Sequence, residues 1–432
     1  NNVCLIPYGG GTNVSCALKC PENESRMIVS VDMKNLNKLI SIDIENNTAT
    51  FGAGIKGKDM EEILEKHGYT SGHEPDSIEF STLGGWISTK ASGMKRSKYG
   101  NIEDIVINYK LHTPSGVLEN ILNTPRNSHG SSLESLIFGS EGNLGIISQA
   151  TIKINKKPKI IEYQSIIFEN FNIGVNFLKD LTVNNKTIIP SSIRLVDNNQ
   201  LRFALALKPE KNNYDLIKDY FKDLVINNYY NFDKKKMVLC TITFEGNSIE
   251  IKEKKDLLNN LVNKHNGVFG GSDNGKKGYQ LTFAIAYIRD LLSKLYVIGE
   301  TFETSVPWSN INDVCESANY ILNKECNKLN LKSWLSYRVT QTYLTGVCIY
   351  FTLAIYHKNV NNINDIYVDI ENKIRKSIIE AGGSISHHHG IGKIRSSFLI
   401  ENTSSIEKEF LNSFKNILDP KNIFGVKNGI IK

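Results

Sequence analysis

Residues Pro7-Tyr8-Gly9-Gly10-Gly11-Thr12-Asn13 follow without a break on the apolar run Val3-Cys4-Leu5-Ile6, and the reading of this stretch decides the fold. The run has the composition of a buried strand. Three successive glycines after it let the backbone take positive φ and approach a ligand closely, so that consecutive N–H groups can converge on the oxygens of a diphosphate. Thr12 adds a hydroxyl donor. The pattern is neither Gly-x-Gly-x-x-Gly nor a Walker loop, because no Lys-Ser/Thr follows and no helix opens at once. By itself a triple glycine after a strand is more often a tight turn, so the loop needs support from elsewhere in the chain.

Outward from the loop, residues 27–32 and 48–54 read as further strands. Met60, Ile63, Leu64 and His67 then recur at helical spacing until Gly68 stops the helix. Residues 76–100 are rich in Ser, Thr and Gly and short of bulky apolar side chains, which is too long for a simple turn and marks a binding segment. Strands resume at 105–113. A Gly-rich turn over 139–145 leads into 146–154, which alternates apolar and polar residues and ends in Lys156-Lys157-Pro158, where a domain boundary is expected. Beyond it, Ile288, Leu291, Leu292, Leu295 and Tyr296 suggest a long helix, and Gly346 the turn of a β-hairpin. Ile349, Phe351, Leu353 and Ile355 make one apolar face, so Cys348, Tyr350, Thr352 and Ala354 point the other way. Ile370, Ile374 and Ile378 stack on a helix that ends at Gly382-Gly383 and delivers the chain into Ser386-His387-His388-His389-Gly390.

Composition narrows the function classes. The 432 residues exceed one ordinary domain, so two or three are expected. Hydrophobic residues make up 40% and charged residues 22%, and the longest apolar run, 347–356, falls far short of the ~20 residues of a spanning helix. A net charge of +6 is small for this length and favours an anionic small substrate or loose lipid contact over nucleic acid. Seven cysteines with no Cys-x-x-Cys pair read as reduced thiols of an intracellular compartment. No charged and apolar leader precedes the first strand, so targeting information is expected upstream of Asn1.

Four segments change the weight of the glycine loop when taken together. They are Pro7-Tyr8-Gly9-Gly10-Gly11-Thr12-Asn13, then Asp76-Ser77-Ile78-Glu79-Phe80-Ser81-Thr82, then Thr89-Lys90-Ala91-Ser92, and finally Glu141-Gly142-Asn143-Leu144-Gly145-Ile146-Ile147. In this order and spacing they resemble the FAD-binding (PCMH-type) domain of the vanillyl-alcohol oxidase flavoprotein family. Further stretches are similar to the branch of that family that makes ether lipids: Glu79-Phe80-Ser81-Thr82-Leu83-Gly84-Gly85-Trp86, Lys98-Tyr99-Gly100-Asn101-Ile102-Glu103-Asp104, Ile285-Ala286-Tyr287-Ile288-Arg289-Asp290, Arg338-Val339-Thr340-Gln341-Thr342-Tyr343 and the histidine run with Gly392-Lys393.

The resemblance implies an α+β, two-domain flavoprotein: an FAD-binding domain over 1–155, whose first strand and helix lie ahead of residue 1, and an antiparallel-sheet substrate or cap domain over 156–432. Its helical C-terminal segment is expected to return toward the flavin. The implied cofactor is noncovalent FAD, held by the four segments. The implied reaction exchanges the acyl group of acyl-dihydroxyacetone phosphate for a long-chain fatty alcohol through a flavin N5 adduct, without net redox. A peroxisomal location, peripheral membrane contact and a homodimer are expected with it; nucleic acid is not.

Site roles follow residue by residue. Arg289 matches the family's phosphate-binding arginine, whose fork of donors suits that anion; without the resemblance it reads as a solvated charge near a helix start. Arg194, between Ile193 and Leu195, points away from their buried face, and the family also needs an arginine there. Tyr350 matches the proton-transferring tyrosine, a role that requires neighbouring cations or the flavin to stabilise the phenolate; the bland reading is a packed strand aromatic. His387, His388 and His389 are the candidate proton carriers. In an extended segment His388 would face away from the other two, which argues against one metal held by all three. Lys427 matches a stretch with a functional basic residue. The rival enzyme class, an FAD-dependent 2-hydroxy acid or alcohol oxidoreductase, typically carries Gly-Glu-His-Gly where this chain has His-His-His-Gly. A flavin-free binding protein is the third reading.

Overall fold

The computed structural model describes residues 2–122, 124–126, 128, 133–206 and 232–430, with the side chains of Glu134 and residues 281–291 outside that set. The chain forms two compact units: residues 1–157 with 385–432, and residues 158–384. The boundary thus falls between Lys157 and Pro158, and residues 385–432 pack with the first unit rather than the second.

In the first unit, β1 (Val3–Tyr8) and β2 (Met27–Asp32) form a parallel pair. β3 (Leu39–Asp43), β4 (Thr48–Gly52), β6 (Val106–Thr113), β7 (Gly116–Glu119) and β8 (Ile146–Lys153) make an antiparallel sheet in the order β3-β4-β8-β6-β7, while β5 (Tyr69–Thr70) pairs with β9 (Asn155–Lys156). Helix α1 (Gly57–Lys66) buries Met60 and Leu64, and α2 (Leu83–Thr89) buries Leu83, Trp86 and Ile87. The Thr82 hydroxyl caps α2 by accepting from the Gly85 N–H at 3.3 Å. These side chains join Phe51, Ile55, Leu111, Ile147 and Ile152 in one core. The strands expected over 27–32, 48–54, 105–113 and 146–154 are present within two residues of those bounds. β3 was not anticipated: its burial alternates weakly, with Ile40 half exposed.

The second unit is built on a seven-stranded sheet in the order β13-β10-β12-β11-β15-β16-β14, with every pairing antiparallel. Its strands are β10 (Ile160–Phe168), β11 (Ser192–Val196), β12 (Val238–Gly246), β13 (Val268–Phe269), β14 (Val297–Pro307), β15 (Lys332–Thr342) and β16 (Gly346–Tyr356). One face is apolar. There Ile193, Leu195, Val339, Ile349, Phe351, Leu353 and Phe302 pack with α3 (Phe171–Lys179), α4 (Ser248–Lys264), α6 (Ile311–Lys328) and α7 (Ile363–Glu380) around one core.

The long helix α5 (Ser272–Lys294) packs against β10, β12 and β14. Gly275 and Gly278, one helical turn apart, permit this approach. A Cβ at Gly275 would lie 2.6 Å from the Gln164 carbonyl oxygen, and one at Gly278 would lie 2.8 Å from Thr241 Cγ2. The helix stops at Lys294, so Leu295 and Tyr296, expected within it, are instead more than half exposed beyond its end, with Tyr296 at φ +58°. Among the described residues no helix is long and apolar enough to cross a membrane.

Candidate cofactor and substrate sites

Within the first unit the expected cofactor segments come together. β1 delivers Pro7 and Tyr8 into the glycine loop, which lies directly on the chain at 80–82. A Cβ at Gly9 would be 2.5 Å from Thr82 Oγ1, one at Gly10 would be 2.0 Å from the Phe80 carbonyl oxygen, and Gly11 sits at φ +69°. Any side chain at Gly10 would therefore force the two backbones apart. The N–H groups of Gly10, Gly11 and Thr12 donate to no protein acceptor among the described residues. Such a run of open amides, with the Thr12 hydroxyl beside it in sequence, suits a diphosphate. Asn13 turns inward and its side chain accepts from the Ala17 N–H at 2.9 Å.

The second segment is a tight turn. Ser81 donates to the Ser77 carbonyl at 2.9 Å and accepts from the Trp86 indole at 2.8 Å. Asp76 is half buried, Glu79 reaches toward Lys58 at 3.9 Å, Ile78 packs on the core, and Phe80 is half exposed. In the third segment, Thr89 caps back on the Gly85 carbonyl, Lys90 takes a left-handed conformation, Ala91 enters the core and Ser92 donates to Asn101 at 2.7 Å. Glu141 N–H donates to the Ser88 carbonyl at 2.8 Å, joining this segment to the fourth. Gly142 lies against Pro7, with a Cβ there 3.4 Å from the proline Cδ. Gly145 takes φ +159° close to the His112 carbonyl. Leu144 and Ile147 send their side chains into the core, which leaves their backbones to face a ligand, and half-buried Ile146 begins β8.

The C-terminal segment is fastened to this cradle by buried polar bonds that the sequence did not disclose. Glu141 accepts from the Gly392 N–H at 2.7 Å and from the Ser15 hydroxyl at 3.3 Å. Burial raises its carboxyl above the ordinary carboxylate range, against those two hydrogen bonds and the Arg395 charge. Asn428 bridges the carbonyls of Glu141 and Ala17, at 2.8 and 3.1 Å. Lys415, almost fully buried, donates to the Asn143 carbonyl and to Asp419, both at 2.6 Å. Lys427 is exposed at φ +59° between buried Val426 and Asn428.

The histidine run departs from its expected extended form. Residues 387–389 lie in a bend, with the His387 and His388 Nδ1 atoms 2.9 Å apart and the His388 and His389 rings 4.6 Å apart at 67°. The chain bends at all three histidines and turns again at Gly390 and Gly392, which take φ +84° and +52°, so the alternation argument does not hold and the three imidazoles cluster. His73 is a further unanticipated group. It is 1% exposed, packs edge-on against Trp86 at 4.7 Å, and has no hydrogen-bond partner for either ring nitrogen among the described residues. Burial pushes it down to about 3. Orphaned ring nitrogens, open loop amides and a glycine seat in one unit fit a large polar cofactor such as FAD.

In the second unit, Arg194 and Tyr350 lie on the polar face of the sheet, as their strand alternation requires. Arg194 is 4% exposed, pairs across the ladder with Thr241 and rests over the Tyr279 ring at 5.8 Å. Tyr350 donates to Thr301 Oγ1 at 3.0 Å. Its register partners are Arg338 on β15 and Glu303 on β14. Near them the Cys348 thiol is pushed well up, by burial first and by Glu303, while Thr340 and Arg338 oppose the shift. Arg289 lies on α5, and its side chain is outside the described residues. All seven cysteines are free thiols, two of them, Cys16 and Cys20, exposed.

Residues 1–121 match the family described as FAD binding domain, and residues 157–426 match FAD linked oxidases, C-terminal domain. The chain is 42% identical over 432 residues to the alkyldihydroxyacetonephosphate synthase of Caenorhabditis elegans, covering 99% of this chain and 72% of that protein. A crystal structure of an alkyldihydroxyacetonephosphate synthase superposes with a TM-score of 0.81 at 31% identity, covering 98% of this chain and 71% of the other. p-Cresol methylhydroxylase shares the fold, with a TM-score of 0.69 at 13% identity over 98% of this chain and 83% of its own.

Proposed function

Because the chain belongs to the alkyldihydroxyacetonephosphate synthase family of FAD-dependent enzymes, we propose that it makes the ether bond of ether lipids. It would do so by exchanging the acyl group of acyl-dihydroxyacetone phosphate for a long-chain fatty alcohol. The observation that carries this reading is that the similarity covers 99% of the chain and so runs through both compact units. The reaction is a substitution with no net oxidation. When bound, the flavin supplies an electron sink at C1 of the substrate, next to the ketone, while one oxygen substituent leaves and another enters.

The protein's own residues have three tasks. The amides of Gly10, Gly11 and Thr12 and the turn at 77–82 hold the dinucleotide. Arg289 is assigned to the substrate's phosphate through a planar fork of donors, with Lys427 in support of substrate binding, and Arg194 to the catalytic group. Tyr350 moves the C1 proton, taking it as phenolate on its phenol oxygen and returning it after exchange. His387, His388 and His389 carry protons to and from the departing carboxylate and entering alcohol. The lipid nature of both substrates supports contact with a membrane surface and, with the family, a peroxisomal setting; a homodimer belongs to the same proposal.

Purified protein loaded with FAD, given palmitoyl-dihydroxyacetone phosphate and hexadecanol, is expected to release palmitate and form the ether product with no change in flavin oxidation state. Bleaching of the flavin by D-lactate or glycolate, with no ether product, would instead support the oxidoreductase.

A further inference from the structure

We infer that Arg338 is a positioning residue for this reaction, orienting the Tyr350 ring and supplying the fixed positive charge that favours its phenolate form. The inference rests on the proton-transfer role proposed for Tyr350.

Arg338 and Tyr350 are direct register partners on the antiparallel strands β15 and β16, so their side chains share one face of the sheet. The guanidinium carbon lies 4.1 Å from the Tyr350 ring centroid, and Arg338 is 3% exposed. A guanidinium stacked at this distance does two things. Its flat surface fixes the plane of the ring, and its charge, held at all working pH values, acts across a poorly solvated gap. An opposite charge within ~4–6 Å favours the ionised form of a group by about one unit or more on the pH scale. Loss of the phenol proton is the step that this charge assists.

The other side of the ring is set as firmly. Glu303, fully buried, is the register partner of Tyr350 on β14, so Glu303, Tyr350 and Arg338 form one row across three strands. The strand carrying Glu303 is pinned from the apolar face, where buried Arg375 donates to the Glu303 carbonyl at 2.7 Å. The phenol hydroxyl donates to Thr301 Oγ1, two residues along the same strand. Among the described residues of β14, β15 and β16, the charged or titratable side chains beside Tyr350 on this face are Arg338, Glu303 and Cys348; Arg194 and Glu245 lie on the same face farther along the sheet. Glu303 opposes the phenolate and Arg338 favours it, so the balance depends on the arginine remaining in contact with the ring. Arg338 touches the phenol ring and is given no contact with substrate.

The test uses the full FAD-loaded protein and three variants, Arg338→Met, Arg338→Lys and Tyr350→Phe, with Arg338→Met also placed in the Tyr350→Phe background. Arg338→Met is expected to move the rising limb of kcat against pH upward by about one unit and to lower kcat about tenfold at neutral pH. KM for the acyl substrate should stay within about twofold, since uniform binding is untouched. Arg338→Lys, which keeps the charge without the flat stack, is expected to shift the limb by less than half as much. In the Tyr350→Phe background Arg338→Met should have no further effect. A purely structural arginine would instead lower FAD content or Tm and leave the limb in place, which overturns the inference, as does an equal loss in both backgrounds. Titration of the Tyr350 resonance in protein labelled at tyrosine 13Cζ, assigned with Tyr350→Phe, reads the same shift without substrate. If the wild-type protein makes no ether product, the functional reading fails while that titration still decides the influence of Arg338 on the phenol.

Discussion

The Glu141 carboxylate accepts a hydrogen bond from the Gly392 N–H at 2.7 Å, across 251 positions of the chain. This bond joins the fourth cofactor segment to the glycines that follow the histidine run, so one buried group serves both the cradle and the run. Burial raises the Glu141 carboxyl, so the folded protein holds its proton more tightly than the unfolded chain. Stability from this group is therefore lost as pH rises from the unfolded value toward the folded one. Glu141→Gln keeps an acceptor for Gly392 and removes the charge, and melting followed from pH 4 to 8 is expected to become flatter. Glu141→Leu leaves the Gly392 amide buried without its acceptor, which costs about 1–3 kcal/mol and lowers Tm at every pH. A Glu141→Gln profile parallel to the wild type would show that the charge does not contribute.

The seat of the glycine loop makes a second prediction. With only 2.0 Å between a Cβ at Gly10 and the Phe80 carbonyl oxygen, Gly10→Ala must push the loop off residues 80–82. The open amides then no longer converge, and FAD affinity is expected to fall about tenfold or more, equivalent to roughly 1.4 kcal/mol. The ratio of flavin to protein absorbance after gel filtration measures this. Full retention of flavin would remove the loop from the cofactor site.

How far the site was legible in the sequence depended on whether the signal was local. Alternation over 349–355 placed Tyr350 opposite Ile349 and Phe351 because a strand imposes a two-residue period, and Arg194 was read from its neighbours in the same way. The importance of Arg338 lay in the register of β15 against β16, which no single-strand pattern encodes. The same holds for Lys415, Asp419 and Asn428, whose partners are set by the packing of the C-terminal segment at Asn143 and Glu141. The histidine run was misread for another reason: extended geometry was assumed, and the backbone bends at residues 387–389. β3 escaped notice because its exposed residues carry almost no alternation.

Asp197 offers a test confined to the second unit. Its side chain accepts from the Gln200 N–H at 2.8 Å at the start of the helix Asn198–Ala206, and it is 5% exposed. Burial pushes it up to about 7, against the hydrogen bonds from the Gln200 and Tyr337 backbones. The sign is that of Glu141: the folded state favours the protonated acid, and stability is lost as pH rises from about 4 toward 7. Asp197→Asn keeps the cap and removes the ionisation, so the variant should exceed the wild type by on the order of 1–3 kcal/mol at pH 8 and match it near pH 4. Urea denaturation at both pH values measures the difference. Since Asp197 and Glu141 belong to separate compact units, the two substitutions are expected to add.

His73 predicts the opposite response. Burial holds its imidazole down to about 3, so it is neutral through the working range and must gain a proton on unfolding in mild acid. A group whose folded value is depressed contributes stability that is present above the unfolded value, near 6.5, and lost as pH falls toward 3. His73→Phe keeps an aromatic ring edge-on to Trp86 while removing the titration. The flavin-free variant is therefore expected to resist acid better than the flavin-free wild type, with the two converging above pH 7. If the ring nitrogens serve FAD, the variant should also bind it more weakly at neutral pH, where the protonation difference is silent. Acid melts of the flavin-free protein and flavin titration at pH 7.5 separate the two effects. Unchanged acid sensitivity would mean that His73 gains a polar partner or water in solution and is not held neutral by burial.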